Sequence, residues 1–206
     1  MASKLLQRYN DSERMNHWAI ALLFFAAALS GLAFFHPALF FLSTLFGGGV
    51  WARILHPFLG VAMVLCFVLL AARLWRENAW TAADTEWVKH SRDMLAGDKA
   101  KMPLVGKYNA GQKAVFWVMC LSLVLLLLTG FAFWQPWFAN SFPITVRRVA
   151  VLLHSASAVA LVLTTIIHVY AAIWVKGTIR AMTRGTVTEG WAKTNHPLWH
   201  KEVSGR

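Results

Sequence analysis

Val149–Val175 is an apolar stretch long enough to cross a bilayer, and it carries two histidines fourteen positions apart, His154 and His168. On an α-helix, fourteen residues rise about 21 Å and turn to within roughly 40° of four whole revolutions. Both imidazoles therefore point to one face, near opposite ends of one helix. Such a face can hold two cofactors, one above the other, if further ligands come from elsewhere in the chain. The plainer reading is two polar residues turned toward the interior of a helix bundle.

The rest of the chain supplies the bundle. Hydrophobic residues make up 58% of the 206 and charged residues 14%, and the apolar residues come in blocks rather than at amphipathic spacing. That is too much apolar surface for one soluble core. The blocks predict four spans, at residues 15–36, 52–76, 109–135 and 146–176, each near the length that hydrocarbon requires. Outside a closed barrel, lipid leaves helices as the way to satisfy backbone hydrogen bonds. The expectation is an all-α integral membrane protein, a four-helix transmembrane bundle forming a single membrane domain over 1–206.

Lysine and arginine orient it. They crowd the N-terminal tail (Lys4, Arg8, Arg14), the segment after the second span (Arg73, Arg76, Lys89, Arg92, Lys99, Lys101, Lys107) and the C-terminal tail (Lys176, Arg180, Arg184, Lys193, Lys201, Arg206). The two short connections on the other side have Arg53, Arg147 and Arg148. By the positive-inside rule both termini, the loop 77–108 and the tail 177–206 are cytoplasmic. The net charge of +11 is then mainly a topology signal with some attraction to anionic membrane lipid, and no nucleic-acid partner is expected, because the charges flank spans instead of forming one basic motif. The first apolar run is a full span preceded by Asp11, Glu13 and Arg14, which predicts that it is retained and not cleaved as a signal peptide. Cys66 and Cys120 lie within spans, with no CxxCH and no paired CxxC, and read as packing residues.

Depth pairs the histidines. With the N-terminus inside, His17 and His168 lie at the cytoplasmic side, and His56 and His154 at the outer side. The two pairs suit six-coordinate b-type haems built for electron transfer, each ligated by two imidazoles from different helices, with the last span contributing to both. Small residues beside the ligands, among them Gly60 and Ser155–Ala158, leave room for a flat macrocycle. His36 lies at the outer level too and stays open as an alternative ligand. His56 is preferred because its span continues beneath it. Pro57 either sits in that span's first turn or kinks it, and Arg53 either pairs with a carboxylate or is an interfacial arginine. A haem-free metal transporter or membrane anchor is the rival from another class, disfavoured because the spans carry no acidic residue.

Three polar stretches remain. Lys107–Lys113 opens the third span with a polar cluster and no histidine. The segment 73–107 has scattered Trp80, Trp87, Met94 and Leu95, which predict an amphipathic surface helix. His196 and His200, four apart in a basic tail beside Pro197, are read as solvated rather than as a shared metal site.

The chain resembles the γ subunit, cytochrome b556, of respiratory membrane-bound formate dehydrogenases, from the first helix almost to the C-terminus. The resemblance rests on Asn16-His17-Trp18, Arg53-Ile54-Leu55-His56-Pro57, Leu153-His154, Ile167-His168, Trp174-Val175-Lys176-Gly177 and, most specifically, Gly106-Lys107-Tyr108-Asn109-Ala110-Gly111-Gln112-Lys113. It implies two haems b, the outer on His56 and His154 and the inner on His17 and His168, with no ligand role for His36. It also implies a quinone near the inner haem, contacted by Asn109, Gly111, Gln112 and His168. The implied partners are a molybdenum or tungsten catalytic subunit that oxidises formate in the periplasm and an iron–sulfur β subunit, with a higher oligomer of the complex left open. Electrons would pass inward to quinone, whose protons come from the cytoplasm. The histidine pattern alone also suits the cytochrome b of a membrane-bound hydrogenase or another periplasmic oxidoreductase.

Overall fold

The computed structural model describes residues 4–96 and 102–205. Lys99, Lys101 and Arg206, counted above among the basic flanks, lie outside the described residues, as do the side chains of Met94 and Leu95. Four long helices dominate: α1 (Asp11–Phe35), α2 (Gly49–Leu74), α5 (Ala110–Phe133) and α6 (Ile144–Trp174), each long and apolar enough to cross a membrane. Between α2 and α5 come the short α3 (Ala82–Lys89) and α4 (Ser91–Leu95). After α6 follow α7 (Thr178–Arg184), α8 (Glu189–Asn195) and α9 (Pro197–Ser204), and two short strands, β1 (Leu5–Gln7) and β2 (Thr186–Thr188), pair antiparallel. The chain divides into two compact units: a membrane unit, Met15–Ala71 with Val118–Ile166, and a terminal unit holding the described parts of 1–14, 72–117 and 167–206.

The membrane unit is a bundle turned inside out relative to a soluble protein. Its interior is Ala27 of α1, Met63 and Phe67 of α2, Leu123 of α5 and Leu161 of α6. Large apolar side chains such as Leu22 and Leu152 are about 70% exposed, as a lipid-facing surface requires. Ala27, Ser30 and Ala33 form the buried stripe of α1, one turn apart, where their small size lets a neighbour approach. Asn16 Nδ2 donates to the Cys66 carbonyl at 3.1 Å, tying α1 to α2. Pro57 lies inside α2, two turns past its start, so the first-turn alternative is wrong. His36, exposed, accepts from the Ala38 N–H at 3.2 Å and so opens the 3₁₀ segment Pro37–Phe46.

The terminal unit overturns the expectation of a solvated tail. Leu6, Tyr9, Tyr108, Val187, Trp191 and Trp199 form a second core, and His196 is 2% exposed. At its centre lies Arg8, 6% exposed, its guanidinium 4.8 Å from the Trp199 ring, 5.0 Å from Trp191 and within 5.8 Å of Tyr9 and Tyr108. A planar, weakly hydrated cation stacks on aromatic faces at little desolvation cost, which is why an arginine can occupy this core. Gly185, at φ +76°, presents its carbonyl to the Arg8 and Tyr9 amides, and a Cβ there would meet the Tyr9 carbonyl oxygen at 2.7 Å. The amphipathic helix expected across 73–107 is two short helices. Trp80 precedes them, and Trp87 is buried.

His196 donates from Nδ1 to the Gly106 carbonyl at 2.8 Å and turns Nε2 toward Arg8 at 3.4 Å, while His200 bonds Glu189 at 3.2 Å, so the two do not read as a metal site. Burial first, and the Arg8 charge second, lower the His196 pKa from 6.5 to about 3. The unfolded chain therefore takes up this proton near 6.5 and the folded chain only near 3, so the terminal unit loses stability as pH falls from 6.5 toward 3. Protection of the Val187 and Ala192 amides, corrected for intrinsic exchange, should fall between about pH 7 and about pH 5. His196→Gln, which keeps a donor for Gly106 but does not titrate, should remove that part of the pH dependence.

Candidate haem and quinone sites

The membrane unit brings His56 and His154 together. His56 is on α2 and His154 on α6; their ring centroids are 6.2 Å apart and the ring planes are turned by 69°. Two imidazole–metal bonds of about 2 Å, plus roughly 1.1 Å from each nitrogen to its ring centre, predict a spacing of about 6 Å for two axial ligands on one iron. His36 makes no part of this pair.

Each imidazole is held by a hydroxyl and a glycine from the preceding long helix. Ser30 Oγ lies 2.9 Å from His56 Nδ1 and also 2.8 Å from the Ala26 carbonyl and 3.0 Å from that of Ala27. One hydroxyl hydrogen cannot serve a carbonyl and the imidazole together, so Ser30 donates to the backbone and accepts the His56 Nδ1–H. Thr129 repeats this: it donates to the Leu125 carbonyl and accepts from His154 Nδ1 at 3.0 Å. In both rings Nδ1 is the nitrogen engaged by the hydroxyl, which leaves Nε2 as the one turned to a metal. A Cβ on Gly31 would stand 3.0 Å from His56 Cε1, and one on Gly130 3.4 Å from His154 Cε1, whereas one on Gly60 would meet nothing within 4 Å. Two neutral imidazoles at this spacing, in an apolar bundle with glycine at both rings, fit a b-type haem. Among the described residues no group of three or more His, Cys, Asp and Glu side chains gathers around a common point.

In the sequence Ser30 and Gly31 read only as small residues that allow close helix or cofactor approach, and Thr129 and Gly130 do not stand out, yet the chain carries a signal for all four. Leu29-Ser30-Gly31-Leu32-Ala33-Phe34-Phe35 and Leu128-Thr129-Gly130-Phe131-Ala132-Phe133-Trp134 share a pattern of Leu, hydroxyl, Gly, any residue, Ala, Phe, aromatic. A histidine follows the hydroxyl 26 positions later in the first copy and 25 in the second. The two helix hairpins are thus a weak internal repeat, and each presents one imidazole of the pair.

His17 lies on α1 in the membrane unit, partly buried, its ring edge-on to Trp18 at 5.5 Å. His168 lies on α6 in the terminal unit and is exposed. In that same unit Asn109 and Gln112 close the start of α5 reciprocally: the Asn109 N–H donates to Gln112 Oε1 at 3.0 Å, and the Gln112 N–H to Asn109 Oδ1 at 2.9 Å. The polar cluster thus caps the start of α5, engaging both amide oxygens and leaving both NH₂ groups outside the exchange. The Trp87 indole covers Gly111, where a Cβ would meet it at 3.3 Å. Lys107 pairs with Glu77 at 2.8 Å.

The profile of a family described as prokaryotic cytochrome b561 matches residues 8–185, which makes the chain a b-type cytochrome with its apolar helices in the bacterial inner membrane. The formate dehydrogenase cytochrome b556(fdo) subunit of Escherichia coli K12 is 46% identical over 196 residues, 95% of this chain and 92% of the relative. The nitrate-inducible cytochrome b556(Fdn) subunit of the same strain is 40% identical over 201 residues, 98% and 93% of the two chains. The cytochrome b556 subunit of Haemophilus influenzae formate dehydrogenase is 40% identical over 195 residues, 95% of this chain and 82% of the relative. The chain belongs to the prokaryotic cytochrome b561 family, in the group of formate dehydrogenase cytochrome b556 subunits.

Proposed function

We propose that this subunit carries electrons from a periplasmic catalytic and iron–sulfur assembly of a formate dehydrogenase to quinone at the cytoplasmic face. The observation that carries the reading is the His56–His154 pair, spaced at 6.2 Å and each held at Nδ1 by a helix hydroxyl, in a chain whose relatives are named cytochrome b subunits of that enzyme. Two haems b, when bound, supply one-electron relays at two depths along α6. His56 and His154 hold the outer one, and His17 and His168 the inner one. The whole chain serves as one membrane domain, its basic loop 77–108 and tail 177–206 facing the cytoplasm. The partners are an iron–sulfur β subunit and a molybdenum or tungsten catalytic subunit.

Asn109, Gly111, Gln112 and His168 border the quinone. The cap at the start of α5 holds the amide oxygens of Asn109 and Gln112, so their NH₂ groups are the donors for a quinone oxygen. Gly111 keeps the helix start flat beside the Trp87 ring. Electrons moving inward meet protons drawn from the cytoplasm, and turnover builds membrane potential.

Gln112→Glu separates the two tasks of this residue, because a carboxylate still accepts the Asn109 N–H but has no NH₂. Formate-dependent quinone reduction by the intact complex should fall about tenfold, the worth of one hydrogen bond to substrate. Formate oxidation with a soluble dye should be unchanged. An unaltered quinone rate would remove Gln112 from the site. A native complex that reduces quinone with hydrogen and not with formate would replace the donor assignment by a hydrogenase.

A further inference from the structure

The outer imidazole pair is gripped twice by one device, a hydroxyl followed by glycine on a long helix: Ser30-Gly31 against His56, and Thr129-Gly130 against His154. Both hydroxyls are buried, Ser30 at 0% and Thr129 at 8% exposure, and both give their own hydrogen to a backbone carbonyl. With that hydrogen given to the helix backbone, each hydroxyl turns a lone pair to the ring nitrogen beside it. Both rings are thus held at Nδ1. The glycines complete the grip, since a Cβ on Gly31 would stand 3.0 Å from Cε1 of His56 and one on Gly130 3.4 Å from that of His154.

We infer that Ser30 and Thr129 are positioning residues that fix the axial imidazoles of the outer haem and set its reduction potential. The inference rests on His56 and His154 being its ligands. The acceptor at Nδ1–H controls how much electron density an imidazole gives its metal. A carboxylate acceptor would push the ring toward imidazolate and favour the ferric state. A hydroxyl that has already donated its hydrogen is a weaker, neutral acceptor, and two of them keep both ligands as imidazole. Removing one leaves the ring with the backbone carbonyl alone, that of Ala27 at His56 or of Leu126 at His154, which lowers donation to iron and raises the potential. It also frees the ring to turn about its bond to the metal.

The test is a redox titration of the intact complex, with electron paramagnetic resonance of its oxidised haems, in Thr129→Val, Thr129→Ser and Ser30→Ala. Valine keeps the shape of threonine without the hydroxyl. The expected result is an upward shift of the outer haem midpoint and an altered low-spin signal in Thr129→Val and in Ser30→Ala, no change at the inner haem, and wild-type behaviour in Thr129→Ser. Loss of the outer haem in Thr129→Val with retention in Thr129→Ser also supports the role of the hydroxyl. Unchanged midpoint and signal in both hydroxyl-free variants overturn it, and so do shifts or haem losses of equal size in Thr129→Ser and Thr129→Val. Failure of the underlying ligand assignment looks different: the outer haem would then survive His154→Ala.

Discussion

His154→Ala is expected to lower haem content from two per chain to one, removing the outer haem while the inner one keeps its spectrum. The substitution deletes one of the two iron bonds proposed for the outer haem and leaves Thr129, on the neighbouring helix, with nothing to hold. It also opens a gap beside Gly130, whose lack of a Cβ is matched to the His154 ring. An iron with one axial ligand in a gap of that size gains little from the remaining His56. Pyridine haemochrome quantification and a reduced-minus-oxidised spectrum of the purified complex read the result directly. Added imidazole should restore part of the missing band, because the lost group is a neutral nitrogen donor and the site retains its shape. Two haems retained in His154→Ala would sink the assignment. His168→Ala is the converse case, expected to remove the inner haem alone.

Lys113→Met is expected to destabilise the docking of α3 by about 3–5 kcal/mol, the usual consequence of leaving one member of a buried ion pair uncompensated. Lys113 Nζ lies 2.7 Å from Asp84 Oδ2 and 3.0 Å from the Ala79 carbonyl, and the two side chains are 8% and 5% exposed. Asp84 also accepts from the Thr81 N–H at 2.8 Å and the Thr81 hydroxyl at 2.6 Å, so one carboxylate closes the start of α3 and fastens α3 to α5. Burial pushes the Asp84 carboxyl upward, but the bonds from Lys113 and Thr81 outweigh it and hold the group below the usual carboxylate range. Hydrogen exchange over residues 82–93 should report the loosening. Adding Asp84→Asn to Lys113→Met should recover part of the loss, since it removes the orphaned charge while keeping an acceptor for Thr81. The functional consequence is local: α3 carries Trp87 onto Gly111, so a loosened α3 uncovers the proposed quinone contact and quinone reduction falls while haem content stays at wild type.

Much of this architecture is legible without coordinates because lipid is a strict solvent. It forces spans to be long, apolar and helical, so four blocks of composition translate into four helices. The His56–His154 pair was legible for a related reason, since spans that alternate in direction put the start of the second level with the start of the fourth. The tail was misread because its basic residues and proline look solvated, while the tryptophans that bury it, Trp191 and Trp199, find their partners in Arg8, Tyr9 and Tyr108 far away in sequence. Lys113 and Asp84 are 29 positions apart and carry no local sign of pairing.

The sequence by itself determined what kind of molecule this is: four apolar helices, with two histidines at different levels of the last of them. Only the tertiary structure decided how the outer histidines are held. A serine or threonine inside an apolar helix bonds its own backbone in any case, and residue type does not say whether its lone pair then meets an imidazole. Ser30 and Thr129 meet one because a glycine follows each and lets the facing helix bring His56 or His154 against it. That match of shapes exists only once the helices have packed.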